Sequence, residues 1–311
     1  MGVQHLFDTK INIDNSNDDI INPPLVDYDL PKPEFETALP NNFISADYLS
    51  FNANNNFLFN TNNKSICPKL SKEMSNFESF YTKNEFKYFE SLSSELQQTE
   101  FNSKKMVGED NYDFYTMTSV CDYLIMRSYE SIIEVSRLTL NKCKYVYYYV
   151  LFRFISEPTI HSTYVTPITK LLVEQLKNIL SGTNENKSTF ISAHDSTLSG
   201  LLQIFFPNNH ECILKKYRDN EFSTDSNNYE YEEDKNCITG IDVTSNLIFE
   251  IYKSDSSNSL YVSLLYNNRV LKINNEKIQP LDSIINSMER IIDYNFESNC
   301  DFNFTLKDKI T

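Results

Sequence analysis

Residues 189–200 read Thr189-Phe190-Ile191-Ser192-Ala193-His194-Asp195-Ser196-Thr197-Leu198-Ser199-Gly200, which sets an adjacent histidine and aspartate at the end of an apolar run. Phe190 and Ile191 predict a short buried strand, and Leu198, Leu201, Leu202 and Phe205 recur at helical spacing until Pro207 closes the helix. His194 and Asp195 are therefore expected where a strand hands over to a helix. In α/β proteins such junctions are common ligand sites, because the free N–H groups of the first helical turn and the positive end of the helix dipole favour an anion.

The flanking sequence is read outward from this point. Thr166-Pro167 predicts the start of an amphipathic helix, with Thr166 as N-cap, Pro167 at the first helical position, and Ile168, Leu171, Leu172, Leu176 and Ile179 on one face before Gly182. Earlier, residues 71–80, 85–96 and 112–129 carry apolar residues at helical intervals, which predicts a helical layer. Residues 1–65 are rich in Asn, Asp and Pro and read as loops. Later, residues 246–252 and 260–266 alternate in strand fashion, and residues 269–273 follow an Asn267-Asn268 turn, which together predict a β-meander. Leu281, Ile284, Ile285, Met288, Ile291 and Ile292 mark a last amphipathic helix. No internal repeat is visible.

Composition narrows the functional classes. A chain of 311 residues, 40% apolar, can bury a substantial core as one domain. Its net charge of −15 argues against nucleic acid or an anionic membrane surface as partner, and leaves a small molecule. No window approaches the roughly 18 apolar residues of a spanning helix. The most apolar run, residues 145–154, is tyrosine-rich and interrupted by Arg153. The first residues carry neither the basic flank and apolar core of a signal peptide nor the downstream Ser or Thr of a myristoylation signal.

Cys67, Cys121, Cys143, Cys212, Cys237 and Cys300 are even in number and widely spaced, which suits disulfides better than a zinc site or a redox motif. Sequons at Asn63, Asn186 and Asn303 fit a secreted protein, although asparagine is abundant enough for several to arise by chance.

The block around His194-Asp195 resembles the second catalytic motif of the histidine acid phosphatase family, a Ser-Ala-His-Asp-Thr-Thr-Leu type sequence. Residues 66–70 (Ile-Cys-Pro-Lys-Leu) are similar to the Cys-Pro segment that opens the family's helical cap, and residues 246–266 to its Leu-x-Phe-Glu strand and the Tyr-Asn strand end that follows. The resemblance spans roughly residues 40–300, in the family's order. It implies an α/β histidine phosphatase (phosphoglycerate mutase-like) fold in one domain over residues 1–311. A helical cap would occupy about 66–160 and the remainder of the α/β core about 161–300. It also implies a Cys67–Cys300 disulfide tying the cap to the chain end, and a secreted or lysosomal/vacuolar location. Closing so long a loop is worth about 3 to 5 kcal/mol in the chain-entropy model, provided the Cα atoms lie within roughly 7 Å. Departures exist: Thr166-Pro167 stands where the family often has Gly-Gly, and an acidic insertion runs over residues 221–234.

The family's chemistry needs two motifs. A phosphomonoester presents repelling oxygens and a poor leaving group, so catalysis requires charge neutralisation, in-line positioning and a proton for the departing alkoxide. By resemblance, His194 contacts the transferring phosphoryl group, and Asp195 is general acid for the leaving oxygen and base for water. No metal and no cofactor are implied. The other motif, an Arg-His-Gly-x-Arg-x-Pro block with the nucleophilic histidine and phosphate-binding arginines, does not occur: the first arginine is Arg127. By the same resemblance the chain reads as beginning inside the domain, without the nucleophile strand, so the central sheet is expected to be incomplete. His5, His161 and His210 lie in no comparable context and read as exposed or satisfied polar residues.

Glu250 reads as a polar position on an alternating strand, and Asp122 as a residue bonding locally in a Cys-Asp-x-Leu turn. Glu230, Glu232, Glu233 and Asp234 lack EF-hand spacing and read as a solvated loop. Two functions remain open. One is a phosphomonoester hydrolase, an acid phosphatase acting on small-molecule phosphomonoesters, whose chain as written is catalytically incomplete. The other is a noncatalytic relative that keeps the anion site for binding or interaction.

Overall fold

Helices come first along the chain and strands later. In the computed structural model, α1 spans Pro68–Glu85, and a 3-10 turn over Phe86–Tyr88 leads to α2, Glu90–Gln97. Then come α3 (Phe114–Tyr129), α4 (Arg137–Phe154), α5 (Pro158–Ser181), α6 (Asp195–Phe205) and α7 (Asn209–Arg218). The strands follow as β1 (Tyr231–Glu232), β2 (Cys237–Ile238), β3 (Leu247–Lys253), β4 (Leu260–Tyr266), β5 (Arg269–Val270) and β6 (Gln279–Pro280). Two helices, α8 (Leu281–Glu289) and α9 (Phe296–Asn299), complete the order. The structure describes residues 64, 66–98, 113–129, 136–184, 189–221, 231–233, 236–254, 257 and 259–300. All of them belong to a unit covering residues 52–309. The segment 1–65 that reads as loops, Lys64 apart, lies outside the described residues, as do the sequons at Asn63, Asn186 and Asn303 and the acidic Glu230 and Asp234.

The tyrosine-rich run is the interior of α4. Ser136 caps this helix by accepting from the Thr139 amide at 3.1 Å. Tyr145, Tyr148, Tyr149 and Phe152 are buried on one side together with the polar Asn141 and Lys144, and Cys143 and Val146 are buried on the opposite side. A helix covered on most faces has no single apolar stripe, which is why its sequence shows little amphipathic period. Its phenols reach out to other elements. Tyr145 donates to the Glu221 carbonyl at 3.3 Å, Tyr147 to Asp195 at 2.7 Å, Tyr148 to Asp242 and Tyr149 to Glu85. Around α4 one core joins Phe89, Leu92, Met117, Leu202, Val262 and Met288, while a second gathers Leu70, Ile168, Leu201 and Phe296.

The six cysteines form three disulfides. Cys67–Cys300 joins the start of α1 to the residue after α9, with Cα atoms 4.2 Å apart, so the expected pairing is present. Cys121–Cys143 ties α3 to α4, and Cys212–Cys237 ties α7 to β2.

The expected meander is present. β4 is central to a four-stranded antiparallel sheet, pairing with β3 from Leu247 opposite Tyr266 to Lys253 opposite Leu260. Asn267 and Asn268, at φ 48° and 63°, supply the left-handed turn into β5. The third strand is shorter than residues 269–273: pairing stops at Val270, and Ile273 makes only an isolated bridge to Glu276. The sheet is antiparallel throughout among the described residues. Among them, no helix is long and apolar enough to cross a membrane.

Two local expectations are corrected. Residues 190–191 are not a strand: Phe190 is 59% exposed, and residues 189–194 run without a ladder partner among the described residues. Apolar character alone does not make a strand, which exists only when a neighbouring backbone accepts its hydrogen bonds. The second correction concerns α5, which begins at Pro158 rather than Pro167. Glu157 caps it by accepting from the Ile160 amide at 2.8 Å, and Gly182, at φ 74°, ends it. Thr166 is not an N-cap. Its hydroxyl donates to the Ser162 carbonyl at 2.7 Å and accepts from the Asp293 amide at 2.7 Å, which docks the segment after α8 against the interior proline. A Thr-Pro pair suits a helix start and a supported helix interior alike, and here it lies in the interior, with Thr166 bonded to Asp293.

Gly200 sets the approach of α6 to α5. A Cβ there would lie 2.6 Å from the Val165 Cγ1 atom, and Val165 is a β-branched side chain with little rotamer freedom in a helix. Gly200→Ala, which would stabilise an exposed helix, is therefore expected to destabilise this one by about 1–3 kcal/mol in urea unfolding. A stability gain would show that the two helices separate freely.

Candidate functional site

The chain enters α6 through His194, whose extended backbone (φ −93°, ψ 162°) places its carbonyl to accept from the amides of Thr197 and Leu198, each at 3.1 Å. The His194 side chain makes no capping bond and is exposed. Asp195, the first helical residue, is held on both oxygens. Oδ1 accepts from the Ser196 amide at 2.7 Å, and Oδ2 accepts from the Tyr147 hydroxyl at 2.7 Å. The histidine is thus free to meet a ligand at the N-terminal end of the helix, while the carboxylate is oriented by α4.

Behind Asp195 a cavity of about 250 Å³ opens between α1, α3, α4, α5 and α6. Phe114, Val150, Leu151 and Phe154 supply apolar wall, and Glu78, Asp122, Tyr147 and Ser196 supply polar groups. Burial, and then the Asp195 charge, push the Asp122 carboxyl above the usual carboxylate range. Glu78 is raised for a similar reason, with burial first and the Asp113 charge second. Burial, followed by the Asp195 charge and its hydrogen bond, drives the Tyr147 phenol far upward, so it remains a donor across the biological range.

His194 and Asp195 are adjacent at the junction, although the segment before them is not a strand. The other histidines occupy different roles. His161 lies inside α5; it is 6% exposed, its Nε2 is 2.8 Å from the Gly200 carbonyl oxygen, and burial pushes its pKa down. His210 packs against Tyr149, and burial followed by the Arg153 charge keeps it below the ordinary histidine range. Glu250 is an exposed residue of β3, as expected. Glu232 pairs with Lys216, and Glu233 with Lys272 and Lys277, so these members of the acidic run are ion-paired. No group of His, Cys, Asp and Glu that could hold a metal ion occurs among the described residues.

Asp122 needs correction. It sits inside α3, not in a turn, and it feels the Asp195 charge. Tyr147 is one of several tyrosines in the run 145–154, which gave no sign of which would reach the site. The available signal was helical spacing: Thr118 and Asp122 are four residues apart, and Tyr147, Val150, Leu151 and Phe154 share one face of the next helix. No family model matches the sequence, and no curated protein matches it significantly.

Asp122 also makes stability pH-dependent. Its folded pKa lies above the unfolded reference, so its favourable contribution is complete below about pH 3.8 and is lost as pH rises through the folded value. Asp122→Asn removes the cost of the buried charge. The variant is expected to be more stable than the native chain at neutral pH and to lose that advantage toward pH 4, as read by urea unfolding. An advantage unchanged with pH would show that the carboxylate charge is not its source.

Proposed function

We propose that His194 and Asp195 are the phosphoryl-contact and proton-transfer half of a phosphomonoesterase site of the histidine acid phosphatase kind. The observation that carries the reading is the arrangement at the start of α6: an exposed imidazole at the N-cap beside a carboxylate held by Tyr147. The helix N-terminus favours an anion there, and His194 adds a donor. In the chemistry the resemblance implies, a histidine nucleophile attacks phosphorus as the ester P–O bond breaks, and Asp195 passes its proton to the departing oxygen. Asp195 then takes a proton from the water that hydrolyses the phosphohistidine.

This chain holds only part of that apparatus. No arginine occurs in the first 126 residues, His161 is committed to the Gly200 carbonyl, and His210 packs against Tyr149. The chain by itself is accordingly a phosphate binder rather than a turnover catalyst. The same arrangement supports the second reading, a noncatalytic relative using the anion site for binding.

With only four histidines, the imidazole resonances of the chain can be followed individually. Inorganic phosphate is expected to shift one of them, and that response should vanish in His194→Ala. Hydrolysis of 4-nitrophenyl phosphate at mildly acidic pH should stay at background. A missing phosphate response would sink the reading, whereas turnover abolished by His194→Ala would overturn the assignment of the chain as catalytically incomplete.

A further inference from the structure

One long edge of the four-stranded sheet is open. β3 pairs with β4 along its whole length, but among the described residues no strand lies on its other side. The outward groups of β3 can be assigned from its ends. The Asn246 carbonyl accepts from the Asn267 amide at 3.1 Å, and the Ser254 amide donates to the Ser259 carbonyl at 2.9 Å, so both ends are hydrogen-bonded pairs of the ladder. Such pairs alternate in an antiparallel ladder. Ile248, Glu250 and Tyr252 therefore turn their backbone groups toward β4, and Leu247, Phe249, Ile251 and Lys253 turn theirs outward.

The side chains mark the same boundary. Val262, Leu264 and Tyr266 of β4 are buried, whereas Leu247, Phe249 and Ile251, on the same face of β3, are only half-buried, so the core thins out at this edge. On the opposite face Ile248 and Tyr252 are 40% and 44% exposed, with Glu250 between them. Glu250 accepts from the Tyr252 hydroxyl of its own strand and is paired with no cation among the described residues. A seven-residue, largely apolar open edge without Pro or Gly is a template for another strand.

A strand of the same sequence fits it. Turned antiparallel to itself about Glu250, β3 overlaps over all seven residues, with Ile248 opposite Tyr252, Phe249 opposite Ile251 and Leu247 opposite Lys253. This register brings the outward backbone groups of one copy to those of the other, and it joins the two half-buried rows on one face. Aromatic and β-branched residues form favourable cross-strand pairs. Only Glu250 meets itself, and like charges directly opposite each other weaken the pairing. We propose that β3 is a docking edge for β3 of a second copy of this chain, joined about a two-fold axis at Glu250, whose charge limits the strength of the dimer. The two-fold pairing consumes the long free edge of both copies, so assembly stops at two. One strand pair buries less than a standard interface, so the dimer is weak and forms at high protein concentration. None of this depends on the phosphomonoester reading of His194 and Asp195.

The test is a charge swap at residue 250, whose exposed side chain takes no part in the ladder to β4. Whole chains are compared by sedimentation equilibrium, in enough salt to screen their net charge of −15. Glu250→Gln is expected to dimerise about fivefold tighter than the native chain, and Glu250→Lys, whose lysines would oppose each other, no tighter than native. Mixing the native chain with Glu250→Lys sets opposite charges against each other, so heterodimers should exceed their random share in native mass spectrometry. Ile251→Pro, which removes one outward amide from the edge, should be monomeric. A Glu250→Gln chain that stays monomeric at about 1 mM, a mixture that pairs at random, a folded Ile251→Pro variant that still dimerises, or assemblies larger than two would each overturn the proposal. Should Ile251→Pro fail to fold, the mixing result decides, since it needs only a surface substitution.

Discussion

The phenols of α4 must find acceptors inside the protein, and much of the architecture follows from where they find them. A buried hydroxyl without a partner costs about 1–3 kcal/mol, comparable to a sizeable part of a domain's net stability. Tyr145, Tyr147, Tyr148 and Tyr149 span slightly more than one turn of helix, so their hydroxyls leave in different directions. They end on the Glu221 carbonyl beyond α7, on Asp195 at the start of α6, on Asp242 before β3 and on Glu85 at the end of α1. Elements far apart in sequence are thereby registered against one helix. Arg153 and Lys144 complete the two partly buried carboxylate positions by pairing with Glu85 and Asp242.

The same requirement shapes the chemistry beside α6. Tyr147 can orient Asp195 only because its own proton is held firmly by burial and by the carboxylate it serves. Asp122 approaches from α3 and is left partly desolvated beside a like charge, a strained arrangement of the type that accumulates at functional sites. His194 stands apart, tied to the helix through its carbonyl with its side chain exposed. Adjacent residues thus take different environments: one faces solvent at an anion-favouring helix end, and the other is oriented against an apolar cavity.

Legibility from sequence varied with the range of the interaction involved. The paired strands over residues 246–266, the asparagine turn after them and the amphipathic helix from Leu281 were all readable. Each is governed by alternation, turn chemistry or a single apolar face, and these are properties of neighbouring residues. The start of α5 was not readable, because Thr166-Pro167 and Glu157-Pro158 both carry start signals and nothing local to either pair separates them. Phe190 and Ile191 failed for a related reason: a strand is a relation between backbones, and the apolar run says nothing of the partner.

By itself the sequence singled out His194 and Asp195 as candidate site residues and placed them at the head of a helix, because capping and apolar periodicity are local. Through its family resemblance it also determined the Cys67–Cys300 pairing that the structure contains. Only the tertiary structure decided that Tyr147 holds Asp195, that Asp122 feels its charge from another helix, and that a largely apolar cavity with two carboxyls lies beside Tyr147 and Ser196. The reason is physical: burial, charge proximity and enclosed volume depend on how five helices meet, and no residue carries that information alone.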